Sequence, residues 1–298
     1  MPGPDAKHIP LSTPIDLHLT LAPLAHGRGD PTIRFADDGI WRASRTPEGA
    51  ATLRLRSVDG GVAAEAWGPG AGWALEHAAA LVGADDEPSN LVPHHRLVAD
   101  LVHRFPGLRM PRSERAFEAL LPAICEQKVT GIEARAEFRA LIAAHGEPAP
   151  GPIAMRLPPE ASVLAGLPYF VYHPFGLEKR RADVIRSAAR LAPRLETATP
   201  DEARDRMAAV PGIGPWTIAE VTRVAYGDPD AVSIGDFHMP NLVAWALARE
   251  PRADDARMLE LLEPYRGQRG RVQRLLEVSG IRPPRHGPRL APRSIAGI

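Results

Sequence analysis

The hydrophobic pattern of this chain changes its period near residue 90, and no other sequence feature constrains the fold as strongly. Before that point, apolar and polar residues alternate in short runs, which is the pattern of half-buried strands. After it, apolar residues recur at helical spacing. We therefore predict an α+β chain, with a small antiparallel β domain over residues 1–90 and an all-α core over 91–281.

The expected strands cover residues 15–21, 39–44, 51–56 and 62–67, with turn signals such as Asp59-Gly60-Gly61 in the first ninety residues. An antiparallel sheet with one face in water is the simplest arrangement of these runs. A helix is expected over 73–82. The acidic segment 84–90 marks the predicted domain boundary.

Several helix starts are visible in the second part of the chain. Ser113 and Thr130 are placed to cap helices, and Thr199-Pro200-Asp201-Glu202 has the form of a capping box with proline at the first helical position. Proline and glycine predict a loop over 147–158. The expected helices cover 113–127, 130–145, 178–195, 200–209, 215–226, 238–249, 254–263 and 268–279. Residues 282–298 are basic and rich in proline, and a disordered tail is expected there.

Composition excludes several classes of protein. Cys125 is the single cysteine, so one chain cannot build a disulfide framework, a multi-cysteine zinc site or a four-cysteine iron–sulfur cluster. No apolar stretch approaches the roughly 18 residues of a membrane span. The N-terminus lacks a signal-peptide pattern, so we expect a cytoplasmic protein that makes no membrane contact.

Charge is unevenly distributed, although the formal net charge is zero. Residues 1–90 carry 7 basic and 12 acidic side chains, whereas residues 264–298 carry 8 arginines and one acid. A basic C-terminal part fits a polyanionic partner. A solvated basic tail in an arginine-rich protein would give the same pattern, so charge alone leaves both interpretations open.

The segment Val210-Pro211-Gly212-Ile213-Gly214 lies between two predicted helices. Its glycines permit positive φ and leave the backbone uncovered, so N–H groups at the turn and at the next helix can meet a phosphate. Ile213 is expected to pack between the helices. A plain helical hairpin with a glycine turn is the alternative.

Asp236 follows Gly214 by 22 residues, after one helix and a short loop. An acidic residue before a new helix is usually an N-cap. Its position after a hairpin and Trp216 favours a second interpretation, in which the carboxylate is a catalytic group.

These motifs resemble the helix-hairpin-helix DNA glycosylases, and within them the DNA-3-methyladenine glycosylase II family. The resemblance covers nearly the whole chain and rests on Val210–Thr217 followed by Asp236. It implies that the helical core consists of two helical subdomains. The segments at 124–130, before the family's DNA-probing loop, and at Gly176 with Arg181-Ala182 support the resemblance. It implies excision of alkylated purines from double-stranded DNA, with the damaged nucleotide flipped into a pocket. Asp236 would stabilise the positive charge that develops on the sugar.

The resemblance also assigns roles to individual residues. Members that cut the DNA strand carry a lysine where this chain has Trp216, and an indole cannot form a Schiff base. A monofunctional enzyme is therefore implied, with Trp216 and Glu220 in the base pocket, although Trp216 could instead pack in the core. The residues expected to meet DNA are Pro211, Gly212, Ile213, Gly214, Thr217, Gln127 and Lys128.

The resemblance requires no cofactor, and it allows a sodium or potassium ion on the carbonyls of Ala208, Val210 and Ile213. We expect a monomer that is associated with the nucleoid. Two alternatives remain open from the sequence. One is a glycosylase of the same fold that removes an oxidised purine such as 8-oxoguanine. The other is a non-catalytic helix-hairpin-helix DNA-binding protein, which would not need Asp236.

Overall fold

The computed structural model describes residues 3–284, and it begins with a five-stranded antiparallel sheet. The strands are β1 (Asp5–Pro10), β2 (Ile33–Ala36), β3 (Gly39–Thr46), β4 (Gly49–Val58) and β5 (Gly61–Trp67). Their order in the sheet is β1-β5-β4-β3-β2, and every neighbouring pair is antiparallel. Three predicted strands are confirmed as β3, β4 and β5, and the α+β class is confirmed.

The predicted strand at 15–21 is wrong, because these residues form a helix. The Asp16 carboxylate accepts the N–H of Leu19 at 2.8 Å and caps α1 (Leu17–Leu21). Leu17 and Leu21 lie one helical turn apart, and both are buried in the core beneath the sheet. The sequence analysis did not predict β1, which lies earlier in the chain and pairs with β5 at the edge of the sheet.

The rest of the described chain is helical. The predicted helix at 73–82 is divided in two, and the helix expected from Ser113 begins at Ala116. The predicted cap at Thr130 is confirmed and forms a capping box, and the predicted capping box at Thr199 is confirmed. The helices are α2 (Ala71–Glu76), α3 (Ala78–Leu81), α4 (Arg96–Arg104), α5 (Ala116–Cys125), α6 (Gly131–His145), α7 (Ala161–Gly166), α8 (Tyr169–Tyr172), α9 (Lys179–Leu195), α10 (Pro200–Ala208), α11 (Pro215–Ala225), α12 (Met239–Ala248), α13 (Asp255–Leu262) and α14 (Arg269–Val278).

One face of the sheet is buried, and the other carries polar side chains such as Arg56 and is covered only in part. The helices α1, α2 and α3 pack on one face. On the other face, Met155 and Leu157 pack against Trp41 and the partly buried Trp67. The loop predicted at 147–158 is therefore a packing element as well as a connection, because it removes two indole rings from water.

The helices form two separate cores, which confirms the predicted pair of helical subdomains. The first helical core comprises α5 to α11. The second helical core comprises α4 and α12 to α14, together with Leu91, Leu108 and Val232. The domain boundaries at residues 90 and 281 remain predictions. Residues 282–284 form no helix or strand, and the rest of the predicted tail lies outside the described residues.

A buried ion pair ties the first helical core together. The Arg181 guanidinium of α9 meets the Glu137 carboxylate of α6 through two hydrogen bonds of 2.5 and 2.9 Å. Both side chains are more than nine-tenths buried. Arg181 also donates to the carbonyl oxygen of Cys125 at 2.7 Å, at the end of α5. The pair therefore fixes the point from which the chain leaves α5.

We expect Glu137→Ala to lower the free energy of unfolding by about 3–5 kcal/mol, because it leaves the Arg181 charge buried without its partner. Chemical denaturation of the purified variant measures this change. Lys179→Ala is the control, since Lys179 is exposed and its ion pair with Asp183 lies at the surface. That variant should lose at most about 1 kcal/mol. Equal losses in the two variants would contradict the role of the buried pair.

Candidate active site

The hairpin between α10 and α11 requires a glycine at residue 212. Gly212 has φ +97°, and a Cβ atom there would lie 2.4 Å from Cγ2 of Val184. Ile213 is buried in the first helical core, as expected, and its N–H donates to the carbonyl oxygen of Val210 at 3.0 Å. The backbone conformation and the close packing both explain why residue 212 is a glycine. Pro211 lies at the tip of the hairpin and is exposed.

Gly214 is different, because neither its conformation nor its packing requires a glycine. Its φ is −108°, and a Cβ atom would meet nothing within 4 Å. Gly214 is the N-cap of α11, and no side chain in the described part of the chain caps this helix. The first turn of α11 thus presents backbone N–H groups and the positive end of the helix dipole, which together favour an anion.

Gln127 joins the turn after α5 to this hairpin. Its amide nitrogen Nε2 donates to the carbonyl oxygen of Gly212 at 3.0 Å and to Oγ1 of Thr217 at 2.9 Å. Thr217 is buried, and its hydroxyl oxygen accepts this hydrogen bond. Lys128, the next residue, is exposed and has φ +58°. The structure therefore joins the turn that carries Gln127 and Lys128 to the hairpin, and their contact with DNA remains a prediction.

The Asp236 carboxylate has three N–H donors. Oδ1 accepts the backbone N–H groups of His238 at 2.7 Å and Met239 at 2.8 Å, at the start of α12. Oδ2 accepts the indole N–H of Trp216 at 3.2 Å. Asp236 therefore interacts with the start of α12, as the simpler interpretation expected. It also accepts a hydrogen bond from Trp216, which the sequence analysis assigned to the base pocket.

Glu220 lies one turn beyond Trp216 on α11, and its carboxylate is already paired. Oε2 meets the Arg223 guanidinium at 2.5 Å, and Oε1 accepts the hydroxyl of Ser233 at 2.7 Å. Burial raises the pKa of Glu220 above its ordinary value, and the Arg223 charge opposes that shift. Glu220 also lines a cavity of about 130 Å³ between the first helical core and the sheet domain.

Comparison with known proteins gives consistent results. No family model matches the chain. A Mycobacterium tuberculosis protein, named a probable bifunctional transcriptional activator/DNA repair enzyme AlkA, is 27% identical over 164 residues. The match covers 53% of this chain and 33% of that protein, so the chain spans about a third of its relative's length.

Two solved structures match almost the whole chain. A 3-methyladenine DNA-glycosylase from Archaeoglobus fulgidus superposes with a TM-score of 0.76 at 16% identity, covering 91% of this chain and 97% of that one. An 8-oxoguanine glycosylase/lyase from Clostridium acetobutylicum has a TM-score of 0.71 at 10% identity, covering 93% and 98%. The chain has the helix-hairpin-helix DNA glycosylase fold.

Two of the three carbonyl oxygens of the predicted cation site, those of Ala208 and Val210, retain a lone pair that can bind a cation. The carbonyl of Val210 accepts the N–H of Ile213, and a carbonyl oxygen has a second lone pair. Ala208 ends α10, where helix carbonyls lack intrahelical partners. Carbonyl oxygens are ligands that hard cations accept. The site at Ala208, Val210 and Ile213 remains a prediction.

One aromatic residue of the site was missed by the sequence reasoning. Phe237, directly after Asp236, is 78% exposed, and its ring packs edge-on against His238 at 4.9 Å between ring centroids. Its position beside an acidic residue and after Gly235 was the available signal.

None of the helices within residues 3–284 combines the length and the apolar character that a membrane-spanning helix needs.

Proposed function

We propose that this protein is a monofunctional DNA glycosylase of base excision repair, which removes alkylated purines such as 3-methyladenine and 7-methylguanine and leaves an abasic site. The observation that carries the proposal is the contact between Trp216 and Asp236. A carboxylate held by three N–H donors lies beside an aromatic ring and a hairpin with uncovered backbone, in a fold that glycosylases share.

Asp236 supplies the charge that the reaction needs. Breaking the N-glycosidic bond leaves positive charge on the deoxyribose, and a fixed carboxylate beside the sugar lowers the energy of that state. The N–H groups of Trp216, His238 and Met239 hold the carboxylate in place, so it requires little reorganisation during the reaction. The same carboxylate aligns the attacking water.

The base pocket accounts for the choice of alkylated purines. The indole of Trp216 offers a flat face to a cationic base, a contact worth roughly 0.5–2 kcal/mol. Glu220 adds negative charge one turn away, although Arg223 screens it. A base alkylated at N3 or N7 is cationic, so it is also the better leaving group. The 8-oxoguanine enzyme with the same fold shows that the fold alone does not choose the lesion.

The partner is double-stranded DNA that contains a damaged base, bound by a monomer. Gly212 and Gly214 bring the backbone of the hairpin close to a phosphate, and the N-terminus of α11 favours the negative charge. Lys128 is exposed and directly follows Gln127, and from there it can contact a phosphate or occupy the place of the flipped nucleotide. Gln127 fixes this turn to the hairpin and so sets the spacing of the two contacts.

Asp236→Asn should reduce base release by about 10²- to 10³-fold, because the amide keeps the shape of the carboxylate but not its charge. Single-turnover release of 7-methylguanine from a defined duplex measures the loss. Asp254→Asn is the matched control, since Asp254 also accepts a backbone N–H at the start of a helix. Asparagine caps helices as well as aspartate does. Base release at the wild-type rate by Asp236→Asn would contradict the assignment.

Borohydride should not trap the protein on DNA that carries a damaged base. Trp216 has no amine, and the lysines of the chain are Lys7, Lys128 and Lys179. Denaturing electrophoresis after reduction detects a covalent complex. A stable complex that disappears in Lys128→Ala would show that the enzyme cuts the strand and that Lys128 is its nucleophile.

Gly214→Asp should weaken DNA binding by about 0.3–2 kcal/mol for all sequences alike, because it places a negative charge where a phosphate would meet the helix dipole. Gly214→Ala is the control, since a Cβ atom fits there without contact. Fluorescence anisotropy at several salt concentrations measures both affinities, and the affinity of the unmodified protein should fall with salt. Tight binding that does not depend on salt would oppose this interface.

A further inference from the structure

The cavity beside Glu220 lies between the sheet domain and the first helical core. Its volume is about 130 Å³, and its walls come from residues 23–26, α5, α6 and α11. A cavity of about 150 Å³ holds one benzene ring. At about 130 Å³ the space is slightly smaller than that, so it admits the edge of a base rather than a whole ring.

The cavity adjoins the proposed active site through two elements. Glu220 lines it and lies on α11, one turn beyond Trp216. Glu126 lines it as well, and directly precedes Gln127, which is bonded to the hairpin. The cavity therefore lies next to the helix and the turn that carry part of the proposed active site.

The carboxylates that line the cavity differ in how well they are satisfied. Glu118 accepts hydrogen bonds from Arg42 and Ser44, at 2.8 and 2.7 Å. Glu220 is paired with Arg223 and Ser233. Glu126 has its nearest ion-pair contact with Nδ1 of His26, at 3.6 Å, which is longer than a hydrogen bond. Among residues 3–284, the Glu126 carboxylate receives no shorter hydrogen bond, so it can still accept from a ligand.

His26 is held firmly opposite Glu126. Its backbone N–H donates to Oδ2 of Asp30 at 2.8 Å, and Asp30 is buried and also binds Thr32. The imidazole packs edge-on against Phe138, with 5.1 Å between ring centroids. Because both the backbone and the ring of His26 are fixed, it restricts the positions that the Glu126 carboxylate can take.

We propose that Glu126, positioned by His26, contacts the edge of the flipped base and selects purines that carry both a positive charge and an exocyclic amine; this rests on the proposed function. A carboxylate only accepts hydrogen bonds, so it stabilises an amine or a cationic ring edge. A carbonyl edge would place two acceptors against each other, which disfavours binding. The sheet domain thus contributes to the choice of lesion through His26.

The test measures affinity in an Asp236→Asn background, so that the base stays on the DNA. The probes are duplexes that carry 7-methylguanine, which has a charge and an amine, hypoxanthine, which has neither, or a tetrahydrofuran abasic analogue. The parent should bind 7-methylguanine more tightly than hypoxanthine. Glu126→Gln should reduce this affinity ratio by about 10- to 100-fold, the loss of a hydrogen bond to a charged group. His26→Gln should reduce the ratio in the same direction.

Glu147→Gln is the matched control, because Glu147 is exposed and does not line the cavity. It should leave the ratio unchanged, and every variant should bind the abasic duplex as the parent does, which shows that the variants are folded. An unchanged ratio in Glu126→Gln overturns the role of Glu126. Base release by the protein with Asp236 intact is measured in parallel, and a lack of release would overturn the proposed function instead.

Discussion

The buried pair between Arg181 and Glu137 sets the geometry on which the candidate site depends. Through its bond to the carbonyl of Cys125, Arg181 fixes the last residue of α5. The next two residues are Glu126, at the cavity, and Gln127, which binds the hairpin. Burying two charges is costly, but this pair orients the turn that follows α5. Neither partner can move without leaving the charge of the other unpaired in an apolar core.

The site lies where the two helical cores meet. Trp216 belongs to α11 of the first core, whereas Asp236 lies before α12 of the second. The hydrogen bond between Trp216 and Asp236 directly links the two helical cores. The bonds of Asp236 to His238 and Met239 hold the carboxylate at the start of α12. Capping and chemistry are compatible in one residue, because both need a fixed carboxylate that accepts hydrogen bonds.

The fold supports more than one choice of damaged base. A 3-methyladenine enzyme and an 8-oxoguanine enzyme both superpose on this chain. The selecting features must therefore be side chains at the site rather than the backbone. For this chain we propose the indole of Trp216, the paired carboxylate of Glu220 and the carboxylate of Glu126 in that role.

The sequence by itself determined what local rules control. The cap at Thr130, the capping box at Thr199, the hairpin and the place of Asp236 before a helix were predictable, because capping, turns and spacing depend on neighbours in the chain. Tertiary packing decided the rest. It turned Leu17–Leu21 into a helix, since two leucines one turn apart could enter the same core. It also brought His26 to Glu126 across 100 residues, a contact that no local pattern encodes.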